Sequence, residues 1–396
     1  CMLPSLKLVE VSEGLVKVLI PDLKFYSKQE AHIEPAWAPV FYNPLMRVSR
    51  DVSVAVVAAY AKILNRKGLR VCEPLSASGV RGLRYAAEVG SVEKVIINDK
   101  NKLAHKLELT NIQINKLDNK VLSFNREARA LLLDFAERGE KFDIVDLDPF
   151  GSPAPFVESA LLALKHGGLL MVTATDLGPL FGVSPSSCRR KYFAVPLRTE
   201  FAKEIGARIL AAFVAREAAK LGLAASPLFT FLSHHSLRLA FLVKRSKSSA
   251  KKAVERVGAA VYCPRCTHRL LTAYPVREQA CPNCGSRTTI SGPLWIGELW
   301  NPEFSVKVLE SYRERSYLSR EGLRMLELIA LESSKPPLYT TTTILAKIAK
   351  LPEEPSLAKV EEAAQKLGAE FSPTHFDPKG FRSSAQPYMI ARVLAR

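Results

Sequence analysis

The sequence predicts an α/β protein: a Rossmann-like parallel sheet, then a cysteine-bearing module, then a small α-rich unit. Three observations predict it. Between residues 69 and 174, short apolar runs alternate with helical patterns, as parallel strands covered on both faces require. Four cysteines form two close pairs, Cys263-Pro-Arg-Cys266 and Cys281-Pro-Asn-Cys284. The length of 396 residues suits two or three domains. A composition of 47% apolar and 24% charged residues excludes collagen and wholesale disorder.

The elements follow in order. Residues 1–45 hold a short apolar alternation at 16–20 and then a Pro-broken stretch at 34–44. Residues 50–66 read as a helix, with Asp51 near its start and Val54, Val57, Ala58 and Ala61 on one stripe. The first strand is 69–73, followed by a Gly/Ser loop at 76–82 and a helix at 83–89. Further strands are expected at 94–99, 121–124, 142–148 and 168–174, with helices to about 115, over 126–138 and over 156–165. A long helix over 198–221 precedes two adjacent strands, 228–233 and 237–244. Residues 245–252 read as a polar linker. The expected domains are 1–245 for the sheet with its N-terminal extension, 246–300 for linker and cysteine module, and 301–396 for a Pro-punctuated, α-rich or winged-helix-like unit.

Charge gives the first functional clue. Lys and Arg number 56 against 39 Asp and Glu, a formal net charge of +17. Such a balance favours a polyanionic partner, most simply nucleic acid. Residues 186–256 hold 15 basic and four acidic side chains, so +11 of the total falls on less than a fifth of the chain. Arg189, Arg190 and Lys191 follow the fifth strand, and Lys244, Arg245 and Lys247 lie at the linker; both sets are expected to contact phosphates. For the linker, a solvated charged face is the competing reading. No apolar run reaches the roughly 18–20 residues of a membrane span. Glu10, Glu13, Lys17 and Asp22 break any signal-peptide order, so a cytoplasmic location is expected. No obligate protein partner is inferred.

Ligands of open parallel sheets bind at the carboxyl ends of the strands. The small-residue loop after the first strand lies there. Asp99 ends the second strand 20 residues beyond Gly79, where a carboxylate can accept from ribose hydroxyls; a helix N-cap is the alternative. Glu127 and Ala128 follow the third strand and could hold an adenine, or Glu127 could simply start a helix. Either a dinucleotide or S-adenosylmethionine would suit this much. The fourth strand favours the latter, because it runs into Asp146-Leu-Asp-Pro-Phe-Gly-Ser-Pro153. Asp148 and the carbonyl of Pro149 can accept the N–H bonds of an exocyclic amine, and Phe150 can stack on its base. An amine conjugated into a base is a poor nucleophile, and such acceptors favour a pyramidal nitrogen with its lone pair facing the methyl group.

The two cysteine pairs, 14 residues apart, form a zinc-ribbon pattern. Four thiolates, Cys263, Cys266, Cys281 and Cys284, give closed tetrahedral coordination, so the zinc is expected to be structural. Iron is the minor alternative.

These strings together resemble the tRNA (guanine-26 N2)-dimethyltransferase family. The matching residues are 40–46 (Val-Phe-Tyr-Asn-Pro-Leu-Met), Ser49-Arg-Asp51, 75–84 (Leu-Ser-Ala-Ser-Gly-Val-Arg-Gly-Leu-Arg), Asn98-Asp99, Asp146–Pro153, Ala174-Thr-Asp176, Cys188-Arg-Arg-Lys-Tyr192 and Thr374-His-Phe-Asp-Pro378. The resemblance spans most of the chain. It implies a Rossmann-like S-adenosylmethionine-dependent methyltransferase that adds one or two methyl groups to N2 of a tRNA guanine, extruded from its stack. It implies cofactor contacts from Arg50, Arg81, Asp99, Glu127 and Ala128. It makes Asp148 the catalytic carboxylate and Phe41 with Phe150 the rings that sandwich the guanine. Two positions depart from the family pattern: Ser49 stands where Asn is usual, and Glu127 where Asp is common. The competing readings are an amino-methyltransferase acting on another RNA or on DNA, and a catalytically silent zinc-containing RNA-binding protein.

Overall fold

A computed structural model describes residues 6–26, 34–277 and 280–395. The chain divides into two compact units. The first runs to residue 174 and is completed by 307–324; the second comprises 175–306 and 325–396. The units therefore cut across the boundaries expected at 245 and 300.

In the first unit, β1 (Leu8–Glu13) and β2 (Val16–Pro21) form an antiparallel hairpin. A helix, Arg47–Leu64, follows; its residues 48–61 are buried, and Asn65 ends it in a left-handed conformation. Five parallel strands come next: β3 (Leu69–Glu73), β4 (Val92–Asn98), β5 (Val121–Phe124), β6 (Phe142–Leu147) and β7 (Leu164–Ala174). Their spatial order is β5-β4-β3-β6-β7. The chain leaves β3 on one side for β4 and β5, then returns on the other to β6. That reversal makes the carboxyl ends of β3 and β6 the switch point where a ligand crevice forms.

The strands fall close to their expected places, with one difference. β7 begins at Leu164, and the preceding helix, Val157–Ala163, is shorter than expected. Buried Leu164 pairs with Phe142 across β6, and a bulge follows before Ile144 pairs with Leu169. Polar Lys165 and His166 hide that pairing in the sequence.

Gly82, in the helix Val80–Glu88, lets that helix approach the sheet. A Cβ there would lie 2.4 Å from Ile97 Cγ2 and 2.9 Å from Glu73 Oε2. Residues 307–324 pack back on this unit: the Ser319 N–H donates to Asp51 Oδ2 (3.0 Å), and Lys62 pairs with Glu314.

The second unit contains a long helix, Ala202–Lys220, and an antiparallel hairpin of β8 (Leu223–Ser233) and β9 (Ser236–Arg245). The stretch read as a polar linker is instead mostly a helix, Lys247–Val254. The Ser246 hydroxyl caps it by accepting from the Ser249 N–H (3.2 Å), and Ala250 and Ala253 are buried beneath its lysines. β10 (Val257–Tyr262), β11 (Arg269–Ala273) and β12 (Thr289–Trp295) form a second sheet in the order β11-β10-β12. Toward the C-terminus, helices Thr342–Ala349, Leu357–Lys366 and Pro387–Leu394 accompany a small sheet of β13 (Thr340–Thr341), β14 (Phe371–Pro373) and β15 (Gly380–Ser383), around a core that includes Leu345, Val360, Phe381 and Ile390.

A buried charge cluster also lies in this unit. Arg208 donates to Glu204 Oε1 from Nε (2.9 Å) and Nη2 (2.8 Å). Arg382 reaches Glu204 (3.0 Å) and Glu332 (2.6 Å). His375 Nδ1 lies 2.6 Å from Glu332 Oε1.

Candidate active site

The crevice floor is sewn together by Asn98. Its Nδ2 donates to the carbonyls of Pro74 (2.9 Å) and Arg126 (3.0 Å), and its Oδ1 accepts from the Arg126 N–H (3.0 Å). One side chain thus ties the loops after β3, β4 and β5. Next to it, Asp99 Oδ2 accepts from the Ala77 N–H (3.1 Å) and Oδ1 from the Asn101 N–H (2.8 Å). Asp99 is not the helix cap; Asn101 is, through the Leu103 N–H. Asp99 is half-buried at the strand end, the place required of a ribose acceptor.

Glu127 does cap a helix. Its side chain accepts from the Ala130 N–H (2.9 Å) and pairs with Arg129 (3.0 Å), interactions that outweigh its slight burial and lower its pKa. Ala128 opens that helix and is buried.

Arg81 is the centre of the crevice. Its Nη2 donates to Asp148 Oδ2 (2.5 Å) and its Nη1 to Ser53 Oγ (2.9 Å). Its Nε lies 3.7 Å from Glu73 and 3.8 Å from Asp146. Arg81 and Asp148, read from sequence as separate contacts of cofactor and base, are thus one ion pair. Burial works against the Arg81 charge, but Asp148 and Asp146 outweigh it and hold the guanidinium protonated. Glu73 is pushed well above the usual carboxylate range, by burial first and then by Asp146 and Asp148, against the pull of Arg81. It accepts from the Gly82 N–H (2.8 Å). The Tyr85 hydroxyl donates to Asp146 (2.6 Å). Three carboxyl groups thus surround one cation. Asp146 and Asp148 outnumber the one guanidinium, so the field favours a cationic ligand such as a sulfonium.

The Asp148 side chain retains 20% exposure, and Phe150 is 69% exposed beyond buried Pro149. Phe41 meets Phe150 edge-on, with centroids 4.6 Å apart and planes at 79°. The two rings are together as expected, but in mutual contact rather than as a parallel slot. Arg50 is buried and bound to Glu13 through Nε and Nη2 (both 2.6 Å). Sequence reading missed Glu13, Glu73 and Asp146. Glu73 and Asp146 carried a signal, since each is an acid in the last two residues of a buried parallel strand; Glu13 carried none.

In the second unit, the Sγ atoms of Cys263, Cys266, Cys281 and Cys284 all lie within 4.8 Å of one another. The 263–284 and 266–281 separations are both 3.5 Å. Each pair sits on a matching turn. The Cys263 N–H donates to the His268 carbonyl and the Cys281 N–H to that of Ser286, while Thr267 and Gly285, each following a second cysteine, are left-handed. Tetrahedral sulfur ligands about 2.3 Å from a metal would stand roughly 3.8 Å apart, so the geometry fits a zinc-type ion.

Arg189, Arg190, Lys244, Arg245 and Lys247 are exposed. Lys191 is instead drawn to Asp176 (2.8 Å), which also accepts from the Tyr192 hydroxyl (2.7 Å). Arg208 and Arg238 are buried, so the basic stripe is thinner than its residue count suggested.

A parallel sheet reversing at β3 and β6, with an acid at the second strand end and an Asp-Pro-Phe turn at the fourth, defines an α/β protein of the S-adenosylmethionine methyltransferase class. Comparison with known proteins is specific. The family model described as N2,N2-dimethylguanosine tRNA methyltransferase matches residues 17–395, and the chain belongs to that family. It is 37% identical over 378 residues to the tRNA (guanine(26)-N(2)/guanine(27)-N(2))-dimethyltransferase of Aquifex aeolicus, covering 94% of this chain and 92% of that one. It is also 37% identical to the tRNA (guanine(26)-N(2))-dimethyltransferase of Sulfurisphaera tokodaii, over 96% and 97% of the two chains. The solved complex of Trm1 from Pyrococcus horikoshii with S-adenosyl-L-methionine superposes with a TM-score of 0.83 at 32% identity, covering 97% of this chain and 99% of that one. Among the described residues, no helix is long and apolar enough to cross a membrane.

Proposed function

We propose that this protein transfers one or two methyl groups from S-adenosylmethionine to N2 of guanine 26 in tRNA. The observation that carries the reading is Asp148, part-exposed at the end of β6 and held by Arg81, with Glu73 and Asp146 buried beside that guanidinium and Asp99 at the end of β4. The cofactor supplies a methyl group on a cationic sulfur. Asp99 would hold its ribose, with Arg50, Arg81, Glu127 and Ala128 bordering the same pocket. Asp148 and the Pro149 carbonyl would accept the amine N–H bonds and turn the lone pair toward the methyl. Phe41 and Phe150 would part from their edge-on contact to admit the extruded base.

The exposed Arg189, Arg190, Lys244, Arg245 and Lys247 would meet tRNA phosphates, with Lys191 joining them only by leaving Asp176. The four thiolates would hold a structural zinc that folds the 263–284 segment, which suits a reducing, cytoplasmic setting. Readings as a DNA enzyme or a silent RNA-binding module are not favoured by relatives named for tRNA guanine methylation.

The test is incubation with labelled S-adenosylmethionine and unmodified tRNA transcript, followed by nucleoside mass spectrometry with the position mapped. N2-methylguanosine and N2,N2-dimethylguanosine at position 26, lost when that guanine is replaced by adenine, are expected. Label elsewhere only, or none, overturns the reading. For the metal, the purified chain should carry about one zinc per molecule by elemental analysis; Cys263→Ser together with Cys281→Ser should carry none.

A further inference from the structure

Glu13 joins the base end of the first unit to its cofactor end. It is the last residue of β1 and only 1% exposed. Its Oε1 accepts from Arg50 Nε (2.6 Å) and Arg84 Nη1 (3.0 Å). Its Oε2 accepts from Arg50 Nη2 (2.6 Å) and the Tyr42 hydroxyl (3.0 Å). Arg50 Nη2 donates as well to the Asn43 carbonyl (3.1 Å), and the guanidinium lies 5.1 Å from the centre of the Tyr42 ring. One carboxylate thus grips, directly or through Arg50, the two residues that follow Phe41.

The grip has a rigid origin. The hairpin that carries Glu13 is fastened to the helix Lys102–Ile114 and its C-cap: the Leu19 N–H donates to Asn111 Oδ1 (2.7 Å) and the Lys17 N–H to Asn115 Oδ1 (2.9 Å). Gly14 turns the hairpin at φ +57°, where a Cβ would stand 2.0 Å from Glu88 Oε1. The gripped segment has anchors before Phe41 as well: Asn101 Nδ2 donates to the Pro39 carbonyl (2.8 Å), and buried Val40 packs with Ala104 and Leu107. Residues 38–43 form neither helix nor strand, so no backbone ladder fixes Phe41 against Phe150.

We propose that Glu13 is a positioning residue for methyl transfer, holding Phe41 at the base site and Arg50 at the cofactor site in one register. This rests on the assignment of Phe41 and Arg50 under the proposed function. The test uses the full chain, with single-turnover methylation of tRNA transcript and calorimetric titration of S-adenosylmethionine, both normalised to the folded fraction from circular dichroism. Tyr42→Phe cuts the direct link to the base segment and spares the one through Arg50 and the Asn43 carbonyl; it should lower the methylation rate about tenfold and leave cofactor Kd within about twofold. Glu13→Gln loosens both links; it should lower the rate at least as much and raise cofactor Kd about tenfold. If Glu13→Gln does not fold, Tyr42→Phe decides alone. Wild-type rate per folded molecule in Tyr42→Phe, with at most a lower unfolding midpoint, overturns the positioning role while the proposed function stands. A wild-type chain that methylates no tRNA removes the proposed function itself.

Discussion

Two of the buried charge clusters, the one around Arg81 in the first unit and the one around Arg382 in the second, are built on opposite terms. Around Arg81, three carboxyl groups face one cation, and Glu73 is driven well above its ordinary pKa. In the second unit, Glu204 and Glu332 meet Arg208, Arg382 and His375. Despite complete burial, the pKa of Glu332 falls to about 2 and that of Glu204 is also lowered, because the guanidiniums outweigh desolvation. The matched cluster serves stability. The unmatched one gathers more acid than base around Arg81 and Asp148, and burial then favours the protonated form of Glu73.

The comparison can be broken by mutation. Asp148→Ala should reduce methyl transfer about 10³-fold while tRNA binding persists, measured by labelled methyl incorporation beside filter binding. A comparable loss of binding would move the residue out of the chemistry. Glu332→Gln should destabilise the fold by about 3–5 kcal/mol in urea unfolding, since buried His375 loses its carboxylate and Arg382 keeps Glu204 alone of its two acids. An unchanged midpoint would deny that cluster its structural role.

Acid should act in the same sense. Glu13 and Glu332 have folded pKa values near 2 against an ordinary 4.5. Their stabilisation is complete above about pH 4.5 and is lost as the pH falls toward 2. Glu73 carries the reverse sign: with its pKa raised in the fold, it destabilises as the pH climbs past 4.5. Glu73→Gln should therefore be more stable than the parent at pH 8 and close to it at pH 4.5, by unfolding midpoint. A loss at pH 8 would show that its charge is used. The smallest effect belongs to the surface. Replacing Lys244, Arg245 and Lys247 with Ala should flatten the slope of log affinity for tRNA against log salt by about two; an unaltered slope removes them from the footprint.

Much of the site was legible because its residues sit at strand ends fixed by apolar periodicity. Asp99 and Asp148 stand at the ends of β4 and β6, and that is enough to aim them at one crevice. The pairing of Arg81 with Asp148 was not legible, because it depends on how close a helix lies to the sheet, which Gly82 decides. Glu127 showed only that an acid begins a helix, and capping is what the structure assigns it. Glu13 was invisible because it arrives from a hairpin 37 residues before its partner Arg50. The helix Lys247–Val254 was hidden by lysines and serines whose two buried alanines left too thin a stripe.

The return of residues 307–324 to the first unit bears on how the protein is made. Ser319 reaches Asp51, and Arg315 Nη2 donates to the carbonyl of Glu88 (3.3 Å), so the first unit lacks part of itself until residues 307–324, far downstream of Ala174, have left the ribosome. A fragment ending at 245 would carry Arg81, Asp99, Asp148 and Phe150 and still leave Asp51 Oδ2 without the Ser319 N–H. Expression of this unit alone calls for a chain that keeps 307–324 as well as the residues up to 174, rather than for a shortened gene.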